Sequence, residues 1–482
     1  MAATVALTAL FVACHGGSVA PPSAALPTPP GGIAARDKIT HVVVISEENR
    51  TYDDIFGGGF SGGPPIYLGG DGAIPSDIAS EIKPGGFNTD VAYNAHDYYR
   101  CLQVNNFSAT TWGNMKAGVW TQSPQPCPTT GPPYNPDAFA HADRAALTII
   151  DGVHRATYTA LANEFEISDA YYAIQDADSF AGHQFIVALR SRNDLGELIS
   201  GTPTRGGELM SCGSAVGTND VQTPVLNRTN GFTTWQYEGD TGVCWNGPTF
   251  GDALDAAHVS WRHYSTDNTG VFNGFINFRS WYPLTDPNLP GSHFRISIND
   301  LYNDINAGDL PQFTWVKPPC IALSDHPGVS HDPFGGSDWV ASVVNKIGAN
   351  QALWQHTVIF VVWDDWGGFY DHKIPPQPGI GLDDGLTPGM RQPFIVISPY
   401  DRTPGGVNHD FTTYASVLHF TEELYGIAPL NTLDAYANDL GSFFDFSKQY
   451  TPFVSIPYAE PQFDVNTACA TYHGIAPYEI DR

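Results

Sequence analysis

Apolar residues in this chain gather in short unbroken runs rather than in long stripes. His41 to Ile45 form one run inside "ITHVVVISEEN", and polar residues follow at once. Val358 to Val362 form a second, which ends in Asp364 and Asp365. A third, "PFIVISP", runs from Pro393 to Pro399. Continuous runs rich in β-branched residues mark strands covered on both faces, as in a parallel sheet. The segments "HRATYTALANEF", "DWVASVVNKIGANQALWQH" and "FTTYASVLHFTEELYG" carry helical spacing instead. Ser337 or Asp338 is expected to cap the second of these, and Gly426 to end the third. Strands alternating with helices predict an α/β fold with a mainly parallel central sheet. In such folds ligands gather beyond the carboxyl ends of the strands, where "SEEN" and "DDWGG" both lie.

The chain has 482 residues, enough for one large domain or two smaller ones. Its formal net charge of −28 argues against nucleic acid and anionic membrane surfaces as partners and is compatible with binding a cation. The segment from about 186 to 310 is rich in Gly, Asn, Thr and aromatic residues and reads as a loop-rich cap with short strands. Residues 447–482 read as an irregular tail.

The first residues, "MAATVALTALFVACHGG", are apolar but too short to span a bilayer. They resemble an export signal with a lipoprotein box before Cys14, which would place a lipid anchor there. A plain export signal and a truncated gene start are the alternatives. The Pro-rich stretch after it reads as a tether, so residues 1–36 are set apart from the folded part. The expected location is exported: periplasmic, extracellular or lipid-anchored. Six cysteines then remain, and an even number in an exported chain favours disulfides. Pairing neighbours in sequence gives Cys101–Cys127, Cys212–Cys244 and Cys320–Cys469.

Asp364 and Asp365 raise a physical question. Neighbours in a regular strand point to opposite faces. Both acids reach one ligand only if the strand ends there and the chain bends, and Gly367-Gly368 permits the bend. Like charges so close repel unless a cation lies between them. Glu48 and Asn49 offer carboxylate and amide oxygens at the end of the first strand, a donor set suited to a metal. Solvated acids near a helix cap are the alternative for that pair. Asp371 and His372 are further ligands or supporting partners. Ser179, in "AIQDADSFAGHQF", is either a nucleophile or a helix cap. No G-x-S-x-G surrounds it, which excludes the α/β-hydrolase elbow, and the sulfatase Cys or Ser followed by Pro and Arg is absent. His96 and His326 stand beside aspartates, which fix an imidazole's tautomer and raise its basicity. The spacing leaves His263 unassigned.

Taken in order, "HVVVISEENRTYDDIFG", "LANEFEISDAYYAIQDADSFAGHQF", "SWRHYS", "DHP", "WQHTVIFVVWDDWGGFYDH" and "GMRQPFIVISP" resemble the phosphoesterase family of bacterial phospholipases C and acid phosphatases. The resemblance runs from Ile39 to Phe446. It implies a three-layer α/β/α sandwich of alkaline-phosphatase-like type, with residues 37–446 as the catalytic domain. It also implies a metal-dependent phosphoric ester hydrolase acting through a phosphoseryl intermediate. By that resemblance Glu48, Asn49, Asp364 and Asp365 hold one divalent or trivalent ion. Ser179 is the nucleophile, and His96 and His326 contact the phosphoryl or leaving group. The family's T-x-P-N-R pattern at the nucleophile is replaced here by "SFAGH". The implied substrate is a small phosphomonoester or a phospholipid headgroup. The rival reading is an exported binding protein of the same fold that has lost catalysis.

Overall fold

A computed structural model of the chain describes residues 35, 37–57, 155–175, 179–192, 198–199, 204–205, 208–209, 221–226, 233–238, 246–265, 278, 292–295, 297, 299–320, 323–325, 334–366, 371, 373, 386 and 388–471. The strands in chain order are β1 (His41–Glu47), β2 (Glu166–Ser168), β3 (Thr204–Arg205), β4 (Glu208–Leu209), β5 (Val221–Leu226), β6 (Thr233–Glu238), β7 (Trp261–Tyr264), β8 (Phe294–Arg295), β9 (Phe313–Val316), β10 (Thr357–Trp363), β11 (Phe394–Ile397) and β12 (Val407–Asn408). The helices are α1 (Tyr52–Phe56), α2 (Ala156–Glu164), α3 (Ser179–Ala188), α4 (Phe250–Ala256), α5 (Asp300–Ala307), α6 (Gly335–Ala349), α7 (Gln351–Trp354), α8 (Tyr414–Tyr425), α9 (Thr432–Ala435) and α10 (Val465–Thr471).

Eight strands form one sheet in the order β12-β2-β11-β10-β1-β9-β7-β8. The two longest apolar runs pair in its centre: β1 lies parallel to β10, with Val42 opposite Val358 and Ile45 opposite Val361. On its other side β1 lies parallel to β9. The exception to the parallel pattern is β11, antiparallel to both β10 and β2. Between 186 and 310 the chain forms a separate four-stranded sheet, β4-β3-β5-β6, and also supplies β7 and β8 to the large sheet.

Alternation along the central strands divides the core into two layers. Val42, Val44, Phe360, Val362, Phe394 and Val396 face one cluster, which takes in Phe185 of α3, Leu254 of α4 and Val417 of α8. Val43, Ile45, Ile359, Val361, Ile395 and Ile397 face the other, with Leu161 of α2, Ile305 of α5 and Val343 of α6. Helices therefore cover both faces, and the fold is the three-layer α/β/α sandwich expected. Burial on both faces is what the unbroken apolar runs required.

Helix ends bear out one expectation and correct another. Gly426 ends α8 in the left-handed conformation, with φ 73°. Ser337 and Asp338, expected as caps, lie inside α6, which begins at Gly335. Asp338 instead accepts from Thr157 Oγ1 at 2.6 Å and from the backbone N–H groups of Ala459 and Glu460, each at 2.8 Å. An acid near a helix start resembles a cap, but here its oxygens tie the C-terminal segment to the helical layer. The Cys320–Cys469 disulfide forms a second tie across 149 residues, as expected. Cys101, Cys127, Cys212 and Cys244 lie outside the described residues.

Between α8 and α9, Glu422 and Asp434 both approach the Leu430 N–H, at 3.3 and 2.7 Å. Burial first, and then Asp434, push the Glu422 carboxyl up to about 10. A carboxyl raised on folding contributes stability that is complete below its unfolded value and declines as pH rises through the folded one. Glu422→Gln is therefore expected to melt higher than the parent at pH 8. The gap should close as pH falls toward 5, by thermal denaturation across that range. A constant gap would refute the assignment.

Candidate functional site

The site forms where β1, β9 and β10 end together. β1 ends in Glu47 and β10 in Trp363, which face each other in register. Glu48-Asn49 and Asp364-Asp365 continue from the two strands. The Asp364 N–H donates to Glu47 O at 3.2 Å and the Arg50 N–H to Asp365 O at 3.1 Å, so the strands stay joined as they bend. Asn49 turns with φ 56°, in the left-handed region that asparagine tolerates better than most residues. Its N–H donates to Asp364 Oδ1 at 3.0 Å. Asp364 and Asp365 both lie past the end of β10, and the Gly367-Gly368 turn expected to bend the chain lies outside the described residues.

Ser179 begins α3 and faces these strand ends. Its Oγ lies 2.8 Å from Asp365 Oδ2 and 2.9 Å from Asn49 Oδ1. The single hydroxyl proton serves one of these acceptors at a time. Close approach of α3 depends on Gly182, where a Cβ would fall 2.3 Å from Asp364 O. One turn after Ser179, His183 Nε2 is 3.3 Å from Glu48 Oε1 and 3.3 Å from Asp364 Oδ2. Lys317, immediately after β9, brings Nζ to 2.5 Å from Glu48 Oε1.

The electrostatics follow from burial. Glu48, Asp364, Asp365, His183 and Lys317 are all buried. Burial, then Glu48, then Asp365 hold the Asp364 carboxyl well above the ordinary range. His263, unassigned from the sequence, is buried on β7. Burial first, then the charges of Lys317 and His183, push it down to about 3, so it is neutral at any physiological pH.

Glu48, His183 and Asp364 each offer one donor atom, and these atoms lie within 4.8 Å of one another. Two carboxylates and an imidazole suit a borderline divalent cation. Three buried carboxylates with one lysine among them also leave negative charge that a cation would offset. The residues present therefore fit a metal ion. Beneath them, Asp325 Oδ2 accepts from Tyr158 Oη at 2.6 Å and from Trp363 Nε1 at 3.1 Å. The Asp325 N–H donates to Glu47 Oε2 at 3.2 Å, and Arg50 Nε donates to Asp325 O at 2.7 Å. This network braces Asp325 against the ends of β1 and β10.

The structure thus brings together Glu48, Asn49, Ser179, Asp364 and Asp365. His96, His326 and His372 lie outside the described residues, as does the Gly367-Gly368 turn. Asp371 is tied elsewhere: it accepts from Arg391 Nε and from the Asp53 N–H, each at 3.1 Å, while Arg391 also holds Asp53. Those contacts brace α1 against the segment before β11. Sequence reasoning missed His183 and Lys317. The signal for His183 was its spacing of four from Ser179, which puts both on one helical face. No local pattern distinguished Lys317.

The chain is similar in sequence to several known proteins. The sequence model of the Phosphoesterase family matches residues 39–428. The non-hemolytic phospholipase C of Pseudomonas aeruginosa is 26% identical over 463 residues, covering 87% of this chain and 59% of that protein. Phospholipase C B of Mycobacterium tuberculosis is 30% identical over 231 residues, covering 41% of this chain and 43% of that protein. The chain thus spans about half the length of these relatives. A solved protein of the alkaline phosphatase superfamily from Vibrio parahaemolyticus shares 12% identity over 83% of this chain and 69% of its own, with a TM-score of 0.32.

Proposed function

The chain belongs to the Phosphoesterase family, and on that premise we propose that it hydrolyses phosphoric esters through a phosphoseryl intermediate on Ser179. The observation that carries this reading is the position of Ser179 Oγ, 2.8 Å from Asp365 Oδ2 and 2.9 Å from Asn49 Oδ1, beside the Glu48–His183–Asp364 cluster.

In the first step Ser179 Oγ forms a bond to phosphorus as the ester P–O bond opposite it breaks. The serine proton passes to Asp365 Oδ2, the carboxylate in reach. The departing alkoxide takes a proton from His96 or His326, a role that rests on their places in the family motifs. In the second step water attacks phosphorus and gives its proton to the histidine that lost one, while the bond to Oγ breaks and Asp365 returns its proton to the serine. Asn49 orients the hydroxyl between attacks. Glu48, Asn49, Asp364 and Asp365, joined by His183, would hold a metal ion, which supplies positive charge against the phosphate and favours ionisation of the serine. Without such charge, an acidic cluster in a chain of net charge −28 would repel its own substrate.

The names of the relatives support a phospholipid headgroup as substrate, and the family resemblance equally supports a small phosphomonoester. A panel of phosphatidylcholine and p-nitrophenyl phosphate, run on protein of known metal content, separates the two. Hydrolysis of neither, with any of a series of divalent metals, would refute the enzymatic reading and favour the inactive binding protein. The Cys320–Cys469 disulfide supports an exported location, since such bonds persist in oxidising compartments. Lipidation of Cys14 would add an anchor.

A further inference from the structure

We propose that Lys317 is a specificity-determining residue of the acidic cluster, its positive charge favouring a divalent over a trivalent ion there. This rests on the ligand set given above. The motifs that suggested that set include no lysine, and the assignment comes from the placement of one side chain.

Lys317 follows β9, the strand next to β1. Its backbone N–H donates to Tyr264 O at 2.9 Å, so the chain is held in register past the strand end. From there Nζ reaches Glu48 Oε1 at 2.5 Å, inside the cluster and away from solvent. The same Glu48 oxygen is 3.3 Å from His183 Nε2. An ammonium thus contacts the same carboxylate that belongs to the candidate donor triad. With an ion bound, Glu48, Asp364 and Asp365 would bring three negative charges and Lys317 one positive. Whatever else neighbours the cluster, deleting Lys317 makes it one charge more negative. Coulomb attraction scales with the charge of the bound ion. A trivalent ion therefore gains more from that deletion than a divalent one, and the lysine holds the preference toward the divalent ion.

The test compares Zn2+ and Tb3+ binding to the full chain after chelation, Zn2+ by calorimetry and Tb3+ by luminescence. In Lys317→Met the affinity for Tb3+ should rise, and the Tb3+-to-Zn2+ preference should increase by about tenfold or more. Lys317→Arg should behave as the parent. Should Lys317→Met not fold, Glu48→Gln supplies the reverse change. It should reduce the Tb3+ preference, and Glu48→Gln with Lys317→Met should restore it. An unchanged preference in Lys317→Met, or equal loss of both ions, would overturn the proposal and make the lysine a mere support for Glu48. Failure of the ligand set itself would look different: Glu48→Gln, His183→Ala and Asp364→Asn would then bind both ions as the parent does.

Discussion

Ser179→Ala is expected to lower turnover of p-nitrophenyl phosphate by about a thousandfold or more, the scale seen when a covalent nucleophile is removed. The folded chain should keep its metal and its melting temperature. The reason lies in what the hydroxyl does. Ser179 Oγ is shared between Asp365 Oδ2 and Asn49 Oδ1, and α3 holds it there because Gly182 lets the helix close on the strand end. Deleting one oxygen removes the atom that forms the bond to phosphorus and leaves the neighbouring carboxylates in place. A variant that kept more than a tenth of the parent's rate would end the nucleophile assignment. Assay with the bound metal measured in the same sample separates a chemical defect from loss of the ion.

The second large effect concerns the ion. Asp365→Asn and Asp364→Asn should each lower bound metal by about tenfold or more in affinity, judged by elemental analysis after dialysis. Activity should fall with it. The two are expected to differ in a second readout. Asp365 also faces Ser179, so its amide variant should stay slow even with the metal in large excess. Asp364 contacts Asn49 N–H and His183 instead, so excess metal should recover much of the rate in its variant. Full metal content in both variants would contradict the ligand set. Equal recovery in both would contradict the role of Asp365 as the serine's proton acceptor.

Much of this architecture was legible in the sequence, and physics explains which part. β1, β10 and β11 are buried on both faces, so their runs are apolar without interruption and need no partner to be recognised. Other strands of the same sheet were not readable one by one. β7 places Arg262 and His263 within "WRHY", and β2 is three residues long. Neither leaves a periodic trace. The reversed direction of β11 was hidden too, because a strand covered on both faces looks alike in either direction. The C-terminal tie through Asp338 escaped notice because its partners, Thr157 and the N–H groups of Ala459 and Glu460, are far away in the chain.

The site divides in the same way. Glu48, Asn49, Asp364 and Asp365 could be picked out because each pair of polar residues interrupts the end of a greasy strand. Ser179 was ambiguous between cap and nucleophile, and its contacts with Asp365 and Asn49 support the second reading as proposed. His183 and Lys317 carry no local signature. One is a histidine inside an apolar helix and the other a lone lysine after a short strand. Only the parallel neighbours β1 and β9, together with α3, bring them to Glu48. Residues whose meaning depends on three separate elements are those a linear reading misses.

The proposed mechanism requires that phosphorus pass through Ser179. The stereochemical course of transfer from a chiral, isotopically labelled thiophosphate ester measures this most directly. Two in-line displacements, first by Ser179 and then by water or an acceptor alcohol, predict net retention at phosphorus. Net inversion would mean a single displacement with no phosphoseryl intermediate, and would contradict the account.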